Sequence, residues 1–330
     1  MRITERQFVE LLRGRTLLHP GVGGQATART GAAARGAGLR QGIGDDCAVL
    51  AHTRQRDLLV TTDLFLEGVH FRRDWQEPAS LGHKALARGL SDIAAMGGIP
   101  RYAFLSLGLP RRTGQRWIDE FLAGFLRLAA ASQVVLAGGD TGSSASGFLA
   151  DVVVLGDVPR NQAILRSGAR PGDEIWVTGT LGTAALGLAV LQTGEKLLRS
   201  HAAFQAFFYP EPRLRMGRYL RQRKLAAALM DLSDGLSIDL ARLCEASGVG
   251  ARIAEASLPR LPQTPLRHAL HGGEDLELLF TVPPERSPEL PRRLGGVPFT
   301  RIGQITSERK LWLIRDKRKH PLPILGFQHF

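Results

Sequence analysis

Apolar residues along this chain recur with a period that changes several times, and each change marks an element. Cys47 to Leu50 and Asp57 to Thr62 read as strands, whereas Ser80 to Met96 repeats its apolar positions at helical spacing. The same pattern predicts strands at Tyr102 to Leu109, Val134 to Ala137 and Phe148 to Val158, with a helix over 114–131. Before them, Ile3, Phe8, Leu11 and Leu12 predict a short amphipathic helix within residues 2–13. Further on, Glu174 to Thr178, Ala226 to Met230, Leu276 to Val282, Phe299 to Ile305 and Leu311 to Arg315 predict strands, and 183–193, 211–223 and 235–247 predict helices.

Strands and helices thus alternate in both halves, the signature of an α/β fold. Pro159 to Asp173 has two prolines, many turn formers and no period, so it divides the chain into an N-terminal domain, 1–158, and a C-terminal domain, 159–330. A length of 330 residues agrees, because one hydrophobic core rarely grows that large. Residues 21–41, rich in Gly, Ala and Arg, read as a flexible segment.

Composition changes this picture little. The net charge of +12 raises the question of nucleic acid, but 37 arginines against 6 lysines are spread along the chain rather than gathered in a stripe. The densest run, Arg315 to His320, reads as a solvated turn. Specific nucleic-acid binding is therefore not expected, although a positive field favours anionic substrates. No apolar run approaches the roughly 20 residues of a membrane helix. Cys47 and Cys244 lie far apart with no apolar leader before them, which points to the reducing cytoplasm rather than to a disulfide framework.

The chemistry is carried by acids set beside glycines or at strand ends: Asp45 and Asp46 in GIGDDCAVL, Asp63 in VTTDLFLEGVHF, Asp92 in LSDIAAMGG, Asp140 in LAGGDTGSS, Asp231 and Asp234 in MDLSDGLSIDL, and Glu274 with Asp275 in HGGEDLELLF. Singly, each has a plain reading as a turn, a helix cap or a solvated face. Together they call for a counter-charge, since carboxylates amid apolar and glycine flanks are costly to desolvate unpaired. Magnesium fits, because it takes oxygen ligands and bridges carboxylates to nucleotide phosphates. Thr61 and Thr62 offer further oxygens, and the glycines let backbone N–H groups approach phosphate. Neither a Walker A loop nor G-x-G-x-x-G is present, so any ATP site is built differently.

In this order, GIGDDCAVL, TTDLFLEGVHF, LSDIAAMGG, GGDT, RSGARPGDEIWVTG, DLSDGLSIDL and GGEDLELLF resemble the motifs of the thiamine-monophosphate kinase family, from about Gly42 to the C-terminus. That family shares its architecture with aminoimidazole ribonucleotide synthetase and selenophosphate synthetase, whose activities are the alternatives. The resemblance implies an N-terminal sheet that pairs with a second copy into a barrel-like homodimer core, a C-terminal α/β domain, and ATP in the cleft. It implies Asp46, Thr61, Thr62, Asp63, Asp92, Asp140, Asp231 and Asp234 as ligands of several magnesium ions, with Asp63, Asp140 and Asp234 counted as catalytic. Gly139, Asp140, Arg166 and Ser233 would contact ATP, and His70, Glu274 and Phe327 would contact thiamine monophosphate. Leu276 stands where the family often has an aromatic residue. The acceptor would be a phosphate oxygen already ionised near neutral pH, so no proton-abstracting base is needed; alignment and charge neutralisation supply the catalysis.

Overall fold

The computed structural model of the protein describes Gln7, Val9, Glu10 and residues 38–329. Those first three residues are helical; the rest of the helix expected within 2–13, and most of the segment expected to be flexible over 21–41, lie outside the described residues.

The N-terminal sheet contains β1 (Leu39–Gln41), β2 (Ala48–Ala51), β3 (Arg56–Leu66), β4 (Ile99–Pro110), β5 (Val135–Ser144) and β6 (Leu149–Pro159), in the order β1-β2-β3-β6-β4-β5. Helix α1 (Pro78–Ala95) links β3 to β4, and α2 (Gln115–Ala131) makes the crossover that lets β5 lie parallel to β4. In β3 the period of two is plain: Leu59, Thr61 and Phe65 are buried against α1, while Thr62 and Leu64 face outward. β5 runs well past the expected end at Ala137, through Gly138, Gly139 and Asp140. Glycines have poor strand propensity, so pairing with β4 up to Ser144 decides the conformation.

α1 and α2 pack unusually closely. A Cβ on Gly82 would lie 1.9 Å from the Phe121 carbonyl oxygen, and one on Gly124 would lie 1.8 Å from that of Ala79. α1 is also buried from behind, Ala94 and Ala95 joining a cluster with Met216, Leu220 and Leu229 of the second half. A helix enclosed on most sides holds Asp92 and its neighbours firmly between the two sheets.

The second half contains β7 (Glu174–Thr178), α3 (Thr183–Gln192), α4 (Phe204–Phe208), α5 (Leu214–Gln222), β8 (Ala228–Leu232), α6 (Leu236–Ser247), β9 (Gly250–Ala254), α7 (Leu266–His271), β10 (Glu277–Val282), β11 (Arg293–Leu294), β12 (Val297–Thr306), β13 (Leu311–Arg315) and β14 (Arg318–Pro321). Its sheet has the order β14-β13-β9-β12-β7-β10-β8, with β11 paired to β12. Arg315 to His320 is more than a turn: Asp316 and Lys317 turn with positive φ, and β14 then returns along β13 as an exposed strand. Among the described residues, no helix is long and apolar enough to cross a membrane.

Candidate active site

Three segments deliver carboxylates to one point. The GDD turn before β2 supplies Asp46, α1 supplies Asp92 one turn from its C-terminus, and the wholly buried strand β8 supplies Asp231. One carboxylate oxygen from each of these three lies within 4.8 Å of the others. Burial pushes the Asp92 carboxyl well above its ordinary pKa, and Asp63, Asp231 and Asp46 push it further. Burial and Asp46 do the same to Asp231. Such mutual repulsion is what a cation would relieve, and hard carboxylate oxygens at this spacing suit magnesium. Thr61 Oγ1 donates to Asp92, and Ser91 Oγ donates to Asp231 Oδ2 at 2.7 Å, so neighbouring hydroxyls orient two of the acids. Asp63, on the same face of β3 as Thr61, has one buried oxygen without a partner, Oδ2.

Basic side chains approach the ring of acids from outside. Arg166 donates from Nη2 to Asp46 Oδ1 at 2.7 Å and from Nε to Asp46 Oδ2 at 3.2 Å, and its backbone N–H reaches the Asp45 carboxylate. Burial opposes the charge on Arg166, but Asp46 and Asp45 outweigh it and raise the guanidinium's pKa. Asp45 itself is pushed up to about 7, first by burial and then by Asp46. Arg242 bonds both Asp234 and Asp239, and Asp239 Oδ2 accepts the N–H groups of Asp234 and Gly235. The DLSDG turn is thus held by Asp239 from inside α6, and Gly235, at φ 126°, takes a backbone conformation that residues with a Cβ avoid.

Beside the acids lies the group expected to hold the acceptor. The Glu274 N–H donates to Ser233 O at 2.7 Å, joining the GGED and DLSDG segments, and Glu274 keeps a positive φ of 65°. Its carboxylate accepts from Lys84 Nζ at 2.8 Å. Burial would raise the Glu274 pKa, but Lys84 and Arg88 bring it below the ordinary value. His70 Nδ1 accepts the Leu66 N–H at 3.0 Å, which leaves the proton of the neutral ring on Nε2, a buried atom with no partner. Burial, then Arg88, lowers its pKa to about 4, so the ring is neutral at physiological pH. The C-terminal segment crosses from the other half: Phe327 N–H bonds Asp234 O, and the Phe327 ring lies 5.9 Å from that of His70. Leu276, in the position often aromatic in the family, is buried in the N-terminal core.

Asp46, Thr61, Asp63, Asp92, Asp231 and Arg166 are therefore brought together, with Ser233, Asp234, His70, Glu274 and Phe327 at the margin. Thr62, Gly139 and Asp140 are not. Thr62 Oγ1 points to the outer face of the sheet, where it donates to Asp151 Oδ1 at 2.9 Å. Asp140 pairs in register with Ser106, Asp151 and Leu64, which puts it on that same outer face and three strands from β3, roughly 14 Å away at ordinary strand spacing. A Cβ on Gly139 would lie 1.8 Å from Leu105 O, so only glycine lets β5 approach β4 there. The motifs did not single out Lys84, Arg88, Ser91, Asp239 or Arg242. Lys84, Arg88 and Asp92 recur every four residues on one stripe of α1, a helical signal that contained the first two.

A two-sheet α/β fold with carboxylates gathered where its two halves meet defines the class. The AIR synthase related protein family matches in both halves, its N-terminal domain over residues 44–158 and its C-terminal domain over residues 170–315. The thiamine-monophosphate kinase of Escherichia coli O157:H7 is 42% identical over 303 residues, covering 88% of this chain and 91% of the relative. That of Bacillus subtilis is 37% identical, covering 88% and 93%. A solved structure described as AaThiL complexed with AMPPCP and TMP is 30% identical, with a TM-score of 0.82, covering 100% of this chain and 99% of the other. The chain belongs to the thiamine-monophosphate kinase family.

Proposed function

We propose that the protein transfers the γ-phosphate of ATP to thiamine monophosphate, releasing ADP and thiamine diphosphate, with magnesium as the required ion. One observation carries this reading: carboxylate oxygens of Asp46, Asp92 and Asp231 converge within 4.8 Å, and Glu274, linked to Asp63 through Arg88, lies nearby, as does the adjacent pair of His70 and Phe327. Magnesium, when bound, would neutralise the charge carried by the phosphates. Asp46, Asp63, Asp92 and Asp231, with Thr61, would hold it, and Asp234 would join them when Arg242 turns away. The remaining work belongs to the chain. Arg166, anchored by two bonds to Asp46, would meet the nucleotide's phosphates with its remaining N–H donors. Ser233, half-buried in the DLSDG turn, offers a further contact. An oxygen of the acceptor's phosphate attacks the γ-phosphorus while the bond to the β-phosphate oxygen breaks; that oxygen is already ionised, so no residue takes a proton. Phe327 covers the organic rings and keeps water away, while neutral His70 contacts the acceptor.

The open face of the N-terminal sheet supports a homodimer. Leu64, Tyr102 and Val135 are 52%, 50% and 58% exposed there, a patch larger than scattered surface residues make. Thr62, Gly139 and Asp140 sit on this sheet away from the other ligands, so a site that uses Asp140 needs a second copy to bring it. A division into two domains, 1–158 and 159–330, is supported by the two sheets, one ending at Pro159 and the other beginning at Glu174. Two buried free thiols fit a reducing cytoplasm.

The deciding experiment is product analysis of purified protein with ATP, magnesium and thiamine monophosphate. Stoichiometric thiamine diphosphate and ADP are expected, with unphosphorylated thiamine a poor acceptor. Turnover of thiamine at a comparable rate, or none of the monophosphate, would overturn the proposal.

A further inference from the structure

Between the acids and the acceptor pocket lies a cation whose donors are only partly used. α1 sets Lys84 and Arg88 one turn apart on the face it turns to Asp63 and Glu274. Lys84 is spent: it is 2% exposed, its Nζ lies 2.8 Å from Glu274 Oε2 and 4.6 Å from the centre of the Phe207 ring. Arg88 is not. Its Nη2 makes one long bond, 3.2 Å to Asp63 Oδ1; its Nη1 stands 3.9 Å from Glu274 Oε1; and its Nε is buried without a partner. A guanidinium has five N–H donors in a rigid fork, and a buried donor left idle is costly. His70 Nε2, the protonated nitrogen, is buried and idle as well, and Arg88 lies near enough to that ring for its charge to lower the ring's pKa. Two unused donors near Asp63 of the acid ring and near Glu274 describe a place for an anion.

We propose that Arg88 is a specificity-determining residue that binds the phosphate of the acceptor, with His70 Nε2 as its second donor, and so separates the monophosphate from the unphosphorylated alcohol. The assignment rests on the functional reading above. Charge supports it. Asp63 and Glu274 balance Lys84 and Arg88 within the chain; once Asp63 turns to a cation, Arg88 loses its counter-ion and is matched by a dianionic phosphate instead. A guanidinium, planar and always charged, suits this exchange better than an ammonium.

The test uses Arg88→Gln and Arg88→Lys in the full chain. Binding of thiamine monophosphate and of thiamine is measured by calorimetry with a non-hydrolysable ATP analogue and magnesium present, alongside KM for both substrates. Arg88→Gln should weaken monophosphate binding on the order of tenfold to a hundredfold, the scale of a lost charge-assisted hydrogen bond, and leave thiamine binding and KM for ATP within about twofold. Arg88→Lys keeps a charge beside Asp63 and Glu274, so it folds even where Arg88→Gln does not, and should recover only part of the affinity. An equal loss for thiamine and its monophosphate in Arg88→Lys, or no loss for either, would overturn the assignment. A wild-type enzyme inactive on thiamine monophosphate would overturn the functional reading and this one with it; an active wild type with unchanged Arg88 variants would overturn this one alone.

Discussion

Asp63 shows how a single residue's position can be tested. It projects from the helix-facing side of β3 and keeps one carboxylate oxygen buried and unbonded. Asp63→Asn preserves shape but removes the charge, so the melting temperature should change little while turnover falls at least about a hundredfold, the scale of losing one electrostatic stabiliser. A folded Asp63→Asn enzyme with near-normal rates at low magnesium would remove Asp63 from the ligand set. Asp275, two residues before β10, behaves differently. Its carboxylate accepts the N–H of Gly182 at 2.5 Å and of Ala184 at 3.2 Å at the start of α3, yet burial outweighs those bonds and pushes its pKa from 3.8 to about 7. An acid with a raised folded-state pKa favours the fold most where it is protonated in the native state, and this contribution declines as pH rises from about 4 through about 7. Asp275→Asn cannot ionise and loses one of the two acceptors. Its stability deficit against wild type, from urea unfolding at pH 5 and pH 8, should therefore be smaller at pH 8. A deficit that grows with pH would mean that the carboxylate is stabilised in its charged form.

At the scale of elements, α1 is the positioning device. It carries Lys84, Arg88, Ser91 and Asp92, and its distance from α2 is set by Gly82 and Gly124. Gly124→Ala places a methyl against the Ala79 carbonyl, so α1 must shift, at a cost of about 1–3 kcal/mol for overpacking. A displaced α1 misplaces Asp92, and kcat should fall more than KM for ATP. Denaturant titration and steady-state kinetics on the same preparation check both halves of this prediction. Wild-type stability would show that α2 yields instead. Strand β5 illustrates a different control: the sequence predicts its end at Ala137, but hydrogen bonds to β4 extend it through two glycines to Asp140 and on to Ser144.

For the whole molecule, the outer face of the N-terminal sheet is where the proposed dimer is tested. Leu64, Tyr102 and Val135 leave apolar area in water unless a second copy covers it. Val135→Asp should convert a dimer into a monomer in sedimentation velocity without unfolding it, because the side chain is 58% exposed in one chain. Activity should fall with it, since Asp140 on that sheet would no longer meet the rest of the site. An active monomer would separate Asp140 from catalysis. The charge of +12 predicts only weak, salt-sensitive association with DNA or RNA, and nanomolar binding at physiological salt would contradict that.

The sequence by itself determined the alternation of elements, and it suggested the two-part division and the candidate ligands. Period, glycine placement and acids in apolar surroundings are local properties, and a strand such as Glu174–Thr178 or Leu311–Arg315 has the bounds its pattern predicts. What the tertiary structure decided was which side chains meet. Thr61 and Thr62 are neighbours in the chain but face opposite sides of β3, because successive residues in a strand alternate. Asp46 and Asp231 are 185 positions apart and share a cluster, because α1 is sandwiched between their segments. Arg88 reads as one of 37 arginines until the fold sets it between Asp63 and Glu274. Charge and shape at a site are sums over segments that only packing brings together.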